Sequence, residues 1–356
     1  MKRMTLAELG LPTNIELPKR KDWRIGVVGL GGISPQHLDA YEAAGFRLFA
    51  AADLDPKRTA AAQSRYGFEK VYAGFEELIA DPEVEIISLL TQPTLRERAL
   101  AAAVAAGKPL QTEKPMADDL ATAERMVKLA SDAGVAFSVN QNYRWNRASF
   151  AAQNLIEAGF IGRPYLASIE IHGTQDRDFA GHEYYSKCSD FLTVEWNTHL
   201  ADLVSCWMGR KALRVSTRTS RKPGQAFRSD NLLVSTIDFG QDGTGLIIHN
   251  ELHRGGVSRY HARVEGESGT LHFPIWGDED LTLCSERLGD EPVQVACSPE
   301  GFLNSFVGPI ADLMRALEDG REPALSGRRN LQTLRQVFAE KESTARNGEW
   351  VAVAQD

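Results

Sequence analysis

The sequence has no apolar run approaching the ~18 residues of a membrane-spanning helix, which excludes a helical span. Its opening stretch, MKRMTLAELGLPTNIELPKRKDW, lacks the apolar block of a secretory signal, so a cytoplasmic protein is expected. Cysteine is scarce: Cys188, Cys206, Cys284 and Cys297 stand apart with no CxxC spacing, which removes a thiolate zinc site and a disulfide framework. Positive charge is also short. A net charge of −8 argues against a surface built for nucleic acid or an anionic membrane, and Lys19-Arg20-Lys21 reads as a solvated arm. What is present is ordinary for a globular protein, with 43% hydrophobic and 25% charged residues. At 356 residues, two domains are expected.

From Trp23 the pattern becomes strand, turn, helix, strand. Residues 24–28 form a short apolar strand, followed by Gly29-Leu30-Gly31-Gly32-Ile33-Ser34, a GxGxx(G/A) turn with serine in the last place. Glycines there let backbone N–H groups approach a pyrophosphate at a helix N-terminus. A second strand over 46–52 ends at Asp53, 24 residues beyond Gly29 (53 − 29), near the spacing of a ribose-binding carboxylate. An acid there accepts from a ribose 2′-hydroxyl and repels a 2′-phosphate, favouring NAD over NADP; Lys57 and Arg58 partly offset the repulsion. Gly29, Gly31, Gly32, Ile33, Asp53 and Arg58 are therefore cofactor candidates.

A near-continuous apolar strand over 84–90 ends at Thr91-Gln92-Pro93, and another over 109–112 runs into Glu113-Lys114-Pro115. Both ends fall at the carboxyl edge, where open α/β sheets bind ligands. Thr91, Gln92, Pro93, Glu113 and Lys114 join the cofactor candidates. A solvated turn lysine is the bland reading of Lys114. Its position instead puts an ammonium near the nicotinamide, able to reach a substrate hydroxyl, with proline fixing the backbone behind it. Asp118 or Asp119 caps the next helix.

The glycine turn, the Glu113-Lys114-Pro115 tripeptide, Asn142-Tyr143-Arg144-Trp145 and the later Gly162-Arg163-Pro164 resemble the Gfo/Idh/MocA oxidoreductases, over nearly the whole chain from Trp23 to Val353. The resemblance implies that Lys114 contacts the reacting hydroxyl and the nicotinamide ribose, that Asn142 touches cofactor, and that Tyr143, Arg144 and Trp145 face substrate. One departure is plain. The family often shows TPNxxH after the third strand, whereas Thr91-Gln92-Pro93-Thr94-Leu95-Arg96 lacks both the Asn and the His.

After a helix over 146–158 the period switches to two. Tyr165, Ala167, Ile169 and Ile171 alternate with Leu166, Ser168, Glu170 and His172, and strand-like runs follow at 213–219, 232–239, 245–252, 260–265, 270–273, 281–284 and 293–296. This predicts a large, mainly antiparallel open sheet, whose exposed face the resemblance associates with homo-oligomers, dimers or tetramers. The segment 193–207 reads as a helix with Glu195, His199 and Asp202 on one stripe and Trp196, Leu200, Leu203 and Trp207 beside it. A buried structural histidine is the competing reading. The resemblance implies a DxxxH pair here, with His199 as general base and Glu195 in the aspartate's place; Asp202 holds the imidazole or serves structure. His172, Asp176, Tyr184 and Trp196 complete the substrate candidates. His249, Glu251 and His253 share a strand face, read as a cleft wall or solvated face; no metal is expected.

The expected architecture is thus an arm at 1–22, an α/β Rossmann domain at 23–145 and an α+β substrate and oligomerisation domain at 146–356, whose C-terminal helix packs back on the Rossmann domain. The expected function is NAD-dependent oxidation of a secondary hydroxyl on a sugar, cyclitol or glycoside. Glycoside cleavage by transient C3 oxidation and elimination is the alternative, and a non-catalytic NAD-binding regulator a third reading.

Overall fold

The computed structural model describes residues 1–240, 242–255, 259–277, 279–289, 291–297 and 299–355. Strand β1 (Lys2–Thr5) comes first. The Rossmann elements follow: β2 (Ile25–Val28), α1 (Ser34–Ala43), β3 (Leu48–Ala52), α2 (Pro56–Tyr66), β4 (Lys70–Tyr72), α3 (Phe75–Ala80), β5 (Ile86–Leu89), α4 (Pro93–Ala105), β6 (Leu110–Thr112), α5 (Leu120–Asp132) and β7 (Phe137–Val139). A 3-10 turn (Asn142–Trp145) leads to α6 (Arg147–Glu157), β8 (Pro164–His172), the short α7 (Gln175–Asp178) and α8 (Glu183–Lys187), and α9 (Asn197–Met208). Then come β9 (Arg214–Ser220), β10 (Leu232–Gly240), β11 (Gly243–Asn250), β12 (Arg259–Gly266), β13 (Gly269–Pro274), β14 (Leu281–Ser285), β15 (Val293–Ala296), α10 (Val307–Asp319), α11 (Gly327–Ala345) and β16 (Val351–Ala352).

The chain divides into two compact units. The Rossmann unit comprises Ile15–Trp145 and Leu303–Leu331. Its six strands, in the order β4-β3-β2-β5-β6-β7, are all parallel. Strands β2, β3 and β5 are buried at every residue, which is why they read as unbroken apolar runs. Helix α5 starts where Asp119 accepts from the Thr122 N–H at 2.8 Å.

The sheet unit comprises Met1–Asn14, Asn146–Phe302 and Gln332–Asp356. Its ten strands run β1-β15-β14-β13-β12-β8-β11-β10-β9-β16, antiparallel except for β1 with β15 and β8 with β11. Ala167, Ile169 and Ile171 are the buried face of β8, as their period-two spacing requires. Helix α9 packs on β8 and β11, and the C-terminal part of α11 grips it through side chains. Thr333 donates to Asp202 at 3.3 Å, Ser205 to Gln336 at 3.0 Å, and Asn197 to Glu340.

Two expectations are corrected here. Residues 1–22 are not a free arm. Residues 2–5 pair in parallel with β15, Arg3 bonds Asp280 at 2.6 Å, and Leu6 and Ile15 are buried, because these apolar side chains have cores to enter. His249 and Glu251 are not a solvated face: both are fully buried, with Nε2 of His249 2.7 Å from Oε1 of Glu251.

Candidate active site

In the Rossmann unit a cavity of about 690 Å³ opens at the carboxyl edge of the parallel sheet. Gly29, Gly31, Asp53, Arg58, Thr91 and Gln92, all expected from sequence, line it together. Gly29 has φ +93°, and a Cβ there would lie 2.9 Å from the Leu90 carbonyl oxygen, so only glycine turns the chain at this point. A Cβ on Gly31 would meet nothing, which leaves its backbone open to a pyrophosphate. Ser34, in the place of the third glycine, is buried and donates to the Gly31 carbonyl at 2.8 Å, closing the turn with its own hydroxyl. Asp53 accepts from the Leu30 N–H at 2.7 Å and the Asp55 N–H at 2.9 Å, and Arg58 Nη1 stands 3.8 Å from it. An acid braced in this way, beside open glycine backbone in a cavity of ligand size, fits a dinucleotide.

Sequence reasoning missed part of this lining. Leu54, 90% exposed immediately after Asp53, borders the cavity with Phe75 and Leu95 and offers an apolar surface for a base. An isolated leucine after the strand's acid was the available signal. Gly32, Ile33, Pro93, Glu113, Lys114 and Asn142 do not line this cavity. Pro93 opens α4, where proline suits the first turn. Asn142 is buried and donates to Ser305 at 3.2 Å.

Along 110–117 every residue is buried except Lys114, which is partly exposed. Glu113 lies beneath it in a polar cluster: Nε2 of His37 is 2.6 Å from Oε1, Asn140 Nδ2 donates to the same oxygen at 2.5 Å, and the Lys114 N–H donates to Oε2 at 3.1 Å. The cluster continues from His37 Nδ1 to the Tyr41 hydroxyl at 3.0 Å, and from there to Ser88 at 3.2 Å. Burial pushes the Glu113 carboxyl up, but the His37 hydrogen bond and the charges of His37, Lys114 and Arg96 hold it well below the usual range. Glu113, expected at the cofactor, is therefore framework under Lys114. On the far side, Arg96 is 3% exposed and donates to the carbonyls of Thr91 and Pro115. Tyr143, Arg144 and Trp145 are partly exposed on the 3-10 turn that follows β7.

In the sheet unit the expected helix is not α-helical along its whole length. Phe191–Trp196 is a π-helical turn, in which the Glu195 N–H reaches the Asp190 carbonyl at 3.3 Å, and the α-helix begins only at Asn197. Glu195 thus sits in the π turn, and His199 and Asp202 on the α-helix that follows it. The Glu195 carboxylate accepts from the Tyr184 hydroxyl at 2.5 Å. His199 is 5% exposed on the first turn of α9. Asp176 borders a cavity of this unit, and its two oxygens accept from the N–H groups of Ala226 and Phe227, both at 2.9 Å, and from Asn231 at 2.7 Å. His172 bonds Glu170 at 2.7 Å. Trp196 meets Trp276 edge-on at 5.2 Å, and Trp276 meets Tyr260 at 4.6 Å, a part-exposed aromatic cluster that no local motif marked. That cavity, of about 880 Å³, is lined by Asp176, Arg177, Lys222 and Arg254 among others and includes none of Glu195, Trp196 or His199. Among the described residues no cluster of His, Cys, Asp and Glu is arranged to hold a metal.

Residues 23–141 match the Gfo/Idh/MocA oxidoreductase family, NAD-binding Rossmann fold. Levoglucosan dehydrogenase of Pseudarthrobacter phenanthrenivorans is 30% identical, over 80% of each chain. D-apiose dehydrogenase of Paraburkholderia graminis is 26% identical, over 90% of this chain and 87% of its own. An Agrobacterium radiobacter oxidoreductase, solved with NAD+, L-tartaric acid and magnesium, superposes with a TM-score of 0.85 at 21% identity, over 93% of this chain and 98% of that one.

Proposed function

The chain belongs to the Gfo/Idh/MocA oxidoreductases, and from that premise we propose that it is an NAD-dependent dehydrogenase oxidising a secondary hydroxyl of a sugar or cyclitol. The observation that carries the reading is the cavity in which Gly29, Gly31 and Asp53 converge at the sheet's carboxyl edge. Relatives named for D-apiose and levoglucosan oxidation support the substrate class. When bound, NAD supplies the hydride acceptor; the chain's own residues supply alignment and proton transfer. Gly29 and Gly31 leave backbone for the pyrophosphate, and Asp53 accepts from the adenosine ribose. Lys114 donates a hydrogen bond to the substrate oxygen, which stabilises negative charge as the O–H proton departs. His199 takes that proton as general base. Trp196, Trp276 and Tyr260 give an apolar face on which a sugar ring's C–H groups pack.

The test is NADH formation by nucleotide-stripped protein given NAD and a panel of D-apiose, levoglucosan, myo-inositol and aryl glycosides. Stoichiometric NADH with a polyol supports the reading. Aglycone release at constant NADH would replace it with redox-assisted glycoside cleavage. We further infer a cytoplasmic homo-oligomer, dimer or tetramer, joined through the open sheet, which light scattering tests.

A further inference from the structure

Arg96 stands where the family motif places histidine, and the substitution changes what that position can hold. Nε and Nη2 of Arg96 donate to the Thr91 carbonyl at 3.1 and 2.6 Å, while Nη1 donates to the Pro115 carbonyl. One planar cation, 3% exposed, thereby joins two loops 24 residues apart (115 − 91). Burying a guanidinium costs several kcal/mol unless its donors are filled. Here backbone oxygens take an N–H from each of its three nitrogens, and the ionised Glu113 nearby offsets the charge. A histidine cannot aim three N–H groups in one plane at two separate carbonyls; the arginine fork can.

Thr91 lines the dinucleotide cavity, and Pro115 follows Lys114. The residue before the lysine is fixed as firmly, through the bonds of Glu113 to His37 and Asn140. We propose that Arg96 is a positioning residue for Lys114, tying the backbone on the lysine's C-terminal side to the cofactor loop while the Glu113 cluster fixes the other side. Lys114 then projects from a backbone held at both flanks, leaving only its side-chain torsions to settle when substrate binds. This proposal rests on the reading of Lys114 as the group that touches the reacting oxygen.

The experiment is a double-mutant cycle on the full chain, with the panel polyol giving the fastest NADH formation. Lys114→Ala alone tests the underlying reading: unchanged kcat removes Lys114 from the chemistry and the proposal with it. With that loss in hand, Arg96→Ala is expected to lower kcat by roughly 10- to 100-fold in the presence of Lys114, with KM for NAD changed by less than about threefold. In the Lys114→Ala background the same change is expected to cost less than about twofold, because its target is gone. Free guanidinium is expected to restore part of the Arg96→Ala activity, and Arg96→Lys to keep part of it. Losses that multiply in the double variant would assign Arg96 to general structure and overturn the proposal. Hydrogen exchange at the Lys114 and Met116 amides gives a readout independent of substrate. It is expected to quicken in Arg96→Ala and, less strongly, in Arg96→Lys at unchanged melting temperature, and an unchanged rate in both overturns the proposal even if no polyol turns over.

Discussion

Nε2 of His37 lies 2.6 Å from Oε1 of Glu113, with side-chain exposures of 0% and 8%, in residues 76 apart along the chain. The helix after the glycine turn is thereby stitched to the tripeptide that carries Lys114. The glycine turn and the lysine belong to one polar framework.

Replacing Glu113 by Gln should expose the worth of that framework. A carboxyl held below its usual value of 4.5, here to about 2, binds its proton more weakly when folded than when unfolded. Its stabilisation is present above the usual value and is lost as pH falls toward the lowered one. Glu113→Gln should therefore cost about 1–3 kcal/mol at pH 7 in urea unfolding. The gap to wild type should narrow as the pH is taken down toward about 3; a gap independent of pH would contradict it.

Glu340 should behave in the opposite sense. Burial raises its carboxyl to about 7, against hydrogen bonds with Gln336, Asn197 and Ser235 that lower it. The folded state holds that proton more tightly than the unfolded chain does. Its stabilisation is complete below the unfolded value of about 4.5 and declines as pH rises to about 7. Glu340→Gln, which keeps a neutral side chain of the same size, should melt above wild type at pH 8, by an amount equivalent to roughly 2 kcal/mol. The advantage should vanish at pH 5. Because Asn197 opens the helix that carries His199, kcat of the wild type should lose more than the variant's on alkaline incubation.

Asp53 is expected to set the cofactor. Asp53→Ser removes the carboxylate opposite the ribose and leaves Arg58 beside the site. Isothermal titration should find NAD binding weakened by roughly tenfold, about 1.4 kcal/mol, while NADP binding tightens. An unchanged preference for NAD would place discrimination elsewhere in the cavity.

His199→Asn should lower kcat by roughly 10²- to 10⁴-fold, the usual worth of a general base, with NAD affinity little altered. The residual rate should rise with pH as hydroxide takes over. A small loss, or a flat profile, would return His199 to the role of a buried structural histidine.

The Rossmann strands were legible because parallel strands buried on both faces leave continuous apolar runs, and Asp53 was legible because it ends one of them. The sheet strands announced themselves by alternation, as in β8. The cluster of His37, Tyr41, Ser88, Glu113 and Asn140 had no local signature, since only His37 and Tyr41 share an element, α1, and the fold alone brings the other three to them. The π turn was hidden for another reason: 191–196 carries the apolar spacing of a helix, and one extra residue per turn leaves no mark on composition. Arg96 was visible only as a missing histidine.

Strand β1 has a practical consequence for anyone handling the protein. A chain trimmed to begin at Trp23, where the dinucleotide pattern starts, would strip the partner from β15 and bare a row of backbone donors and acceptors. Such a fragment should be prone to stick to other copies edge to edge. A bulky group joined directly at Met1 would press on the same seam, whereas β16 (Val351–Ala352) forms the opposite border of the ten-stranded sheet.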